Sequence, residues 1–193
     1  MFMRNINCSF CGSSTHTSKT CQIEPSMAPI FKQEIGIFME KYIVNNIKCP
    51  KCKINSLNRL GTNTPSLDMI CNNCNSMFEI KSKCLSIDIM PNHIFFNGGN
   101  YLEFNKNINN GLELILIIYG INRKEKMLTI RTILYVPNNI LKDNNIIEIH
   151  KSLTHSKINI KNINNINTLS ILNNTLSFKK LYQNLLIKYY YKN

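Results

Sequence analysis

SLDMICNNCNSMFEIKSK, residues 66–83, decides how the rest of the chain is read. A Cys-x2-Cys pair, Cys71 and Cys74, interrupts two short runs of alternating apolar residues, a pattern that predicts strand, tight turn, strand. Side chains alternate along a strand, so Glu79 and Lys81 share one face while Phe78 and Ile80 point to the other, apolar side. Asp68 stands three residues before Cys71, and the hairpin carries it across the ladder to the neighbourhood of Glu79. Two carboxylates and a lysine therefore converge beside a pair of metal-type cysteines.

The partner pair is Cys49 and Cys52 in KCPKCK, 48–53, with eighteen residues before Cys71. Two such knuckles supply four thiolates to one zinc ion and leave no open coordination position, so this zinc folds the chain and does no chemistry. Nearer the start, Cys8, Cys11, His16 and Cys21 follow Cys-x2-Cys-x4-His-x4-Cys and predict a second structural zinc, with Gly12 at the turn. Residues 8–21 resemble the CCHC zinc knuckles of retroviral type. That resemblance implies contact with single-stranded nucleic acid, Phe10 being the stacking platform and Lys19 a phosphate contact. Cys84 is left over and reads as a small buried hydrophobe.

Length and composition set the frame. A chain of 193 residues with 44% hydrophobic and 18% charged residues can bury one ordinary core plus a small appendage. The bias toward Asn and Ile carries no mechanism. Formal net charge is +12, and two zinc ions on seven thiolates lower it to about +9, which still favours a polyanion such as nucleic acid. The opening MFMRNINC has no apolar run, so a secretory leader is not expected. The apolar stretch 112–121 contains Glu113 and is about half as long as a membrane span. Cysteines at metal spacing predict a reducing, intracellular setting (cytoplasm, nucleus or viral factory), with neither a membrane nor a disulfide-linked partner.

Two domains are expected: residues 1–24, the knuckle, closed by the linker EPSMAP, and residues 25–193. An amphipathic helix is predicted over 30–47 from Phe31, Ile35, Phe38, Tyr42 and Ile43, with Glu34 and Glu40 on it. A second is predicted over 98–108, and strands over 112–121 and 127–136, the latter ended by Pro137. The Asn/Ile tract 158–176 has apolar residues three apart, either a helical face or an echo of composition. The last residues, SFKKLYQNLLIKYYYKN, are predicted to form a terminal helix.

On these motifs, KCPKC, LDMIC and NNCNSMFEIKSK together with EIGIFMEKYIVNN, GGNYLEF, LELILIIYG and TILYVPNNIL, the chain resembles the catalytic domain of DpnI-type restriction endonucleases over about residues 34–141. These are PD-(D/E)xK nucleases. The resemblance implies an α/β fold, a restriction-endonuclease-like mixed sheet flanked by helices with an embedded four-cysteine ribbon, and an endonuclease hydrolysing DNA with Mg2+ or Mn2+. It implies that Asp68 and Glu79 bind that metal with the backbone carbonyl of Ile80, that Lys81 is the catalytic lysine, and that Glu40 is an accessory acid. Such enzymes carry a C-terminal winged helix that reads methylated adenine, and the residues after 141 are too few and irregular for one. The competing reading is a non-catalytic zinc-ribbon and knuckle protein of transcription or packaging, with Asp68, Glu79 and Lys81 as surface charges.

Overall fold

The computed structural model describes residues 28–61, 64, 66–85, 94–122, 127–153, 155–161, 166–169 and 175–177. The CCHC motif with Phe10 and Lys19, the boundary near residue 24 and the terminal helix expected beyond Ser177 lie outside these residues.

The first element is helix α1, Ala28–Asn46. Ile35, Met39, Tyr42 and Ile43 recur at helical spacing and are buried, so one stripe of the helix closes on the sheet beneath it. The helix ends into the first cysteine knuckle. Three antiparallel strands follow: β1 (Leu57–Arg59), β2 (Met69–Cys71) and β3 (Met77–Cys84). Next come β4 (Ile94–Asn100), helix α2 (Tyr101–Asn109), β5 (Glu113–Asn122) and β6 (Met127–Val136). β5 runs parallel to β3 and antiparallel to β6, because the chain between β3 and β5 is long enough to cross over the sheet.

The short helix α3 (Asn138–Leu141), the hairpin strands β7 (Ile147–Ser152) and β8 (His155–Ile160), and the short strands β9 (Asn167–Leu169) and β10 (Thr175–Ser177) complete the described elements. The larger sheet has the order β1-β2-β3-β5-β6, with β10 and β9 both on the far edge of β6. The smaller one is antiparallel, in the order β4-β8-β7.

β5 shows why the stretch LELILIIYGI is apolar almost throughout. Ile115, Ile117 and Tyr119 face α1 in one core, while Leu114, Leu116 and Ile118 face the small sheet and α2 in a second. A strand covered on both faces needs no polar alternation. α2 is capped by the Asn100 side chain, which accepts from the N–H groups of Leu102 and Glu103. Asn138 Nδ2 donates to the carbonyls of Ile108 and Leu112, at 2.7 and 2.8 Å, and so closes its other end.

One expectation needs correction and one open question closes. Helices do flank the larger sheet, α1 on one face and α2 on the other, and the small antiparallel sheet shares the second face. The tract 158–176, which the sequence left open between a helical face and an echo of composition, is strand in its described elements: the end of β8, then β9 and β10. The expected second helix begins only at Tyr101, because its first residues, including Gly99 and Asn100, finish β4.

Candidate functional site

The four cysteines gather first. Cys49, Cys52, Cys71 and Cys74 place their sulfurs within 4.8 Å of one another. Cys49 to Cys74 is 3.7 Å and Cys52 to Cys71 is 3.6 Å, close to the ~3.8 Å edge of a tetrahedron with metal–sulfur bonds of ~2.3 Å. The donor set and spacing fit one tetrahedral zinc.

Both knuckles are built alike. The residue four after each first cysteine, Lys53 or Asn75, has a positive φ of 63° or 56°. Its N–H returns to that cysteine's carbonyl, at 2.9 or 2.8 Å. The left-handed residue turns the chain so that both sulfurs point inward. Hydroxyls add to the sulfur shell: Ser56 Oγ is 2.9 Å from Cys71 Sγ and Ser76 Oγ is 3.1 Å from Cys74 Sγ. Burial pushes the Cys71 thiol up, yet Ser56 and the N–H groups of Cys74 and Asn73 outweigh it and bring it down to about 6. Burial pushes Cys49 up to about 12. Neither serine was singled out from sequence, although both lie within four residues of a ligand.

This clamp fixes β2, and β2 fixes Asp68. The ladder pairs Met69 with Phe78, and the Asp68 N–H extends it by donating to the Phe78 carbonyl at 3.0 Å. The Asp68 carbonyl accepts from Leu60 N–H at 2.8 Å, while its carboxylate Oδ2 takes the Ile80 N–H at 2.7 Å. In an extended strand a residue's N–H and C=O leave on the same edge, so the Ile80 carbonyl leaves on the β2 edge as its N–H does.

Glu79 and Lys81 stand beside Leu114 and Leu116 of β5, on the face away from α1, as alternation predicts. Glu79 is 2% exposed. Lys81 Nζ donates to its Oε1, and its Oε2 is buried without a partner. Burial, first of all, pushes the Glu79 carboxyl up to about 7; the charge of Asp68 adds to this, and Lys81 opposes it. A buried carboxylate oxygen without a donor is costly, and the oxygens of Asp68, Glu79 and the Ile80 carbonyl are the ligands a hard divalent cation takes. These residues fit such an ion.

Glu40 approaches from α1. Burial raises its carboxyl as well, Arg59 opposes this through a hydrogen bond, and the charge of Asp68 raises it further. Arg59 Nε donates to its Oε2, a partner that sequence spacing gave no means to foresee. Among the described residues no three carboxylates come within coordinating distance of one another, so Glu40, Asp68 and Glu79 feel one another's charge without forming one three-carboxylate cluster. Cys84 is half-buried against the α1-side core.

No helix among the described residues is long and apolar enough to cross a membrane. No curated protein matches the sequence. A family profile, DpnI, the Dam-replacing family, matches residues 29–190, which reaches well past residue 141, where the sequence resemblance thins. With far more than half its length matched, the chain belongs to the DpnI (Dam-replacing) family.

Proposed function

We propose that this protein is a metal-dependent DNA endonuclease whose site is Asp68, Glu79 and Lys81, with Glu40 accessory. Family membership points to a restriction-endonuclease-like function on DNA. The observation that carries the finer reading is the pair of acids on the zinc-type hairpin, of which Glu79 has one oxygen buried and unpartnered and its other oxygen bonded to Lys81.

Asp68, Glu79 and the Ile80 carbonyl would hold a divalent cation, which when bound neutralises phosphate charge and activates water. The Asp68 carboxylate is oriented by the Ile80 N–H, so its second oxygen is left for that role. Lys81 is held against the acid pair by Glu79. Its ammonium can steady the attacking water and balance the negative charge that grows on the phosphate as water adds and one P–O ester bond breaks. The products are a phosphate monoester and a hydroxyl, with the water's protons passing to solvent and the leaving oxygen. The zinc clamp and, outside the described residues, the Cys8, Cys11, His16, Cys21 motif would be structural.

The test is cleavage of methylated and unmethylated plasmid by zinc-loaded protein with Mg2+ or Mn2+, beside Asp68→Ala and Lys81→Ala. Each substitution should lower the rate at least about 100-fold, the scale of losing a preorganised charge at a transition state. Unchanged rates in both variants would sink the assignment. DNA binding without any cleavage would leave a zinc-stapled binding module.

A further inference from the structure

Away from the acid pair, the small sheet turns an outer face to solvent that the proposed chemistry does not use. Its register sets Phe95, Asn159 and Glu148 in one row, Asn97, Lys157 and His150 in the next, and Asn100, His155 and Ser152 in the third. Phe95 is 45% exposed, and the Lys157 ammonium lies 5.1 Å from its ring centre. Toward the hairpin end, a cavity of about 450 Å3 is lined by Asn97, Ser152, Leu153, His155, Ser156 and Lys157. Ser156 is 2% exposed and its Oγ has no hydrogen-bond partner. At the tip Leu153 is 89% exposed, with a left-handed φ of 56°.

These features are unhelpful to folding. An apolar side chain left in water at a strained tip gains nothing from the core. They suit a polyanion. From Ile147 to Lys161 the chain carries three lysines and two histidines against one acid. That acid, Glu148, sits at the end far from the tip and is met by Lys161 at 3.8 Å.

The surface is also within reach of the acid pair. Two residues along β4 from Asn97 stands Gly99, where a Cβ would come 2.5 Å from Ser66 Oγ. Asn107 Nδ2 donates to the Ser66 carbonyl at 3.1 Å, and Asp68 is two residues further on. The path from Asn97 to Asp68 is about 20 Å at full stretch, or about six nucleotides of a duplex strand.

We infer that the outer face of β4-β8-β7, from Phe95 to the hairpin tip, is a second contact surface for duplex DNA. Lys157 meets phosphate, and Leu153 is an apolar tip laid against sugar or base edges. The inference rests on DNA being the substrate, as proposed above.

It is tested by fluorescence anisotropy with a labelled duplex and full-length, zinc-loaded protein in Ca2+, over a salt series. Lys157→Gln should weaken binding about three- to tenfold and reduce the slope of log K against log salt by about one. Leu153→Ser should weaken it about threefold or more with the slope unchanged. Lys142→Gln, at the exposed residue that follows α3, is the control and should change nothing. Wild-type binding that both test variants match in affinity and slope overturns this surface alone. A wild-type chain that neither binds nor cuts DNA overturns the proposed function, and this inference with it.

Discussion

At the scale of single residues, the chemistry of the site follows from how little water reaches Glu79. Its folded pKa, about 7, stands above the ordinary carboxyl value of 4.5, so folding favours the protonated form. The stabilisation from that proton is complete below the unfolded value and is lost as pH rises through about 7. At about 1.4 kcal/mol per pH unit the loss is about 3 kcal/mol. In magnesium-free buffer the zinc-loaded protein should therefore melt at a lower temperature at pH 8 than at pH 6, a difference that Glu79→Gln removes. In the proposed site Mg2+ would replace the proton, so its apparent affinity should fall as pH drops below 7. Calorimetric melting with and without Mg2+ checks both; a flat pH profile in wild type would mean that Glu79 is better solvated than its burial indicates. Asp68, Glu79 and Lys81 were legible because strand alternation and a turn of fixed length are local rules. Arg59 was not, since its bond to Glu40 joins a strand to a helix and only folding brings the two together.

The elements around the site depend on the sulfur clamp in proportion to how short they are. β1 and β2 have three residues each, too few to hold a register without support. Cys49 and Cys71 are fully buried in the same core as Met69 and Phe78, so a zinc joining them would also set where Asp68 sits. Removing zinc with a strong chelator, or substituting Cys71→Ser, should cost several kcal/mol, given that structural zinc contributes on the order of 10 kcal/mol in small domains. Cleavage should disappear even with Mg2+ restored, and zinc readdition should recover it in wild type only. Zinc release measured against far-ultraviolet circular dichroism checks this; cleavage that survives full zinc loss would detach the clamp from the site. Sequence showed this element well, because knuckle spacing is a local signature. It showed the small sheet badly. β4 carries a register shift between Asn97 and Asn100, and its glycines fall in the stretch 98–108 that reads as a helix. β8 lies in an Asn/Ile tract whose spacing imitates a helix, and only its pairing with β4 and β7 makes it a strand.

In the molecule as a whole, β5 is the element on which both halves close. Ile117 packs on the α1 side with the clamp and the hairpin; Leu116 packs on the other side with α2 and the small sheet. Both are fully buried, and both stand beside β3 next to the lysine end of the site, Leu116 opposite Lys81 and Ile117 opposite Ser82. If each core were an independent unit, truncating one residue would weaken one and spare the other. A shared central strand forbids this, because β5 cannot leave one core and stay in the other. Ile117→Ala and Leu116→Ala should each cost about 2–5 kcal/mol, the usual range for such cavities. Each should shift a single cooperative transition to lower denaturant with its slope unchanged. The chain has no Trp, so tyrosine fluorescence and circular dichroism are the probes: Tyr42 and Tyr119 report the α1 side, and circular dichroism reports both. Coincident transitions in both variants mean that a defect under the inferred DNA-contact sheet is felt at the acid pair through one strand. Transitions that separate in either variant would divide the molecule at β5 and break that coupling.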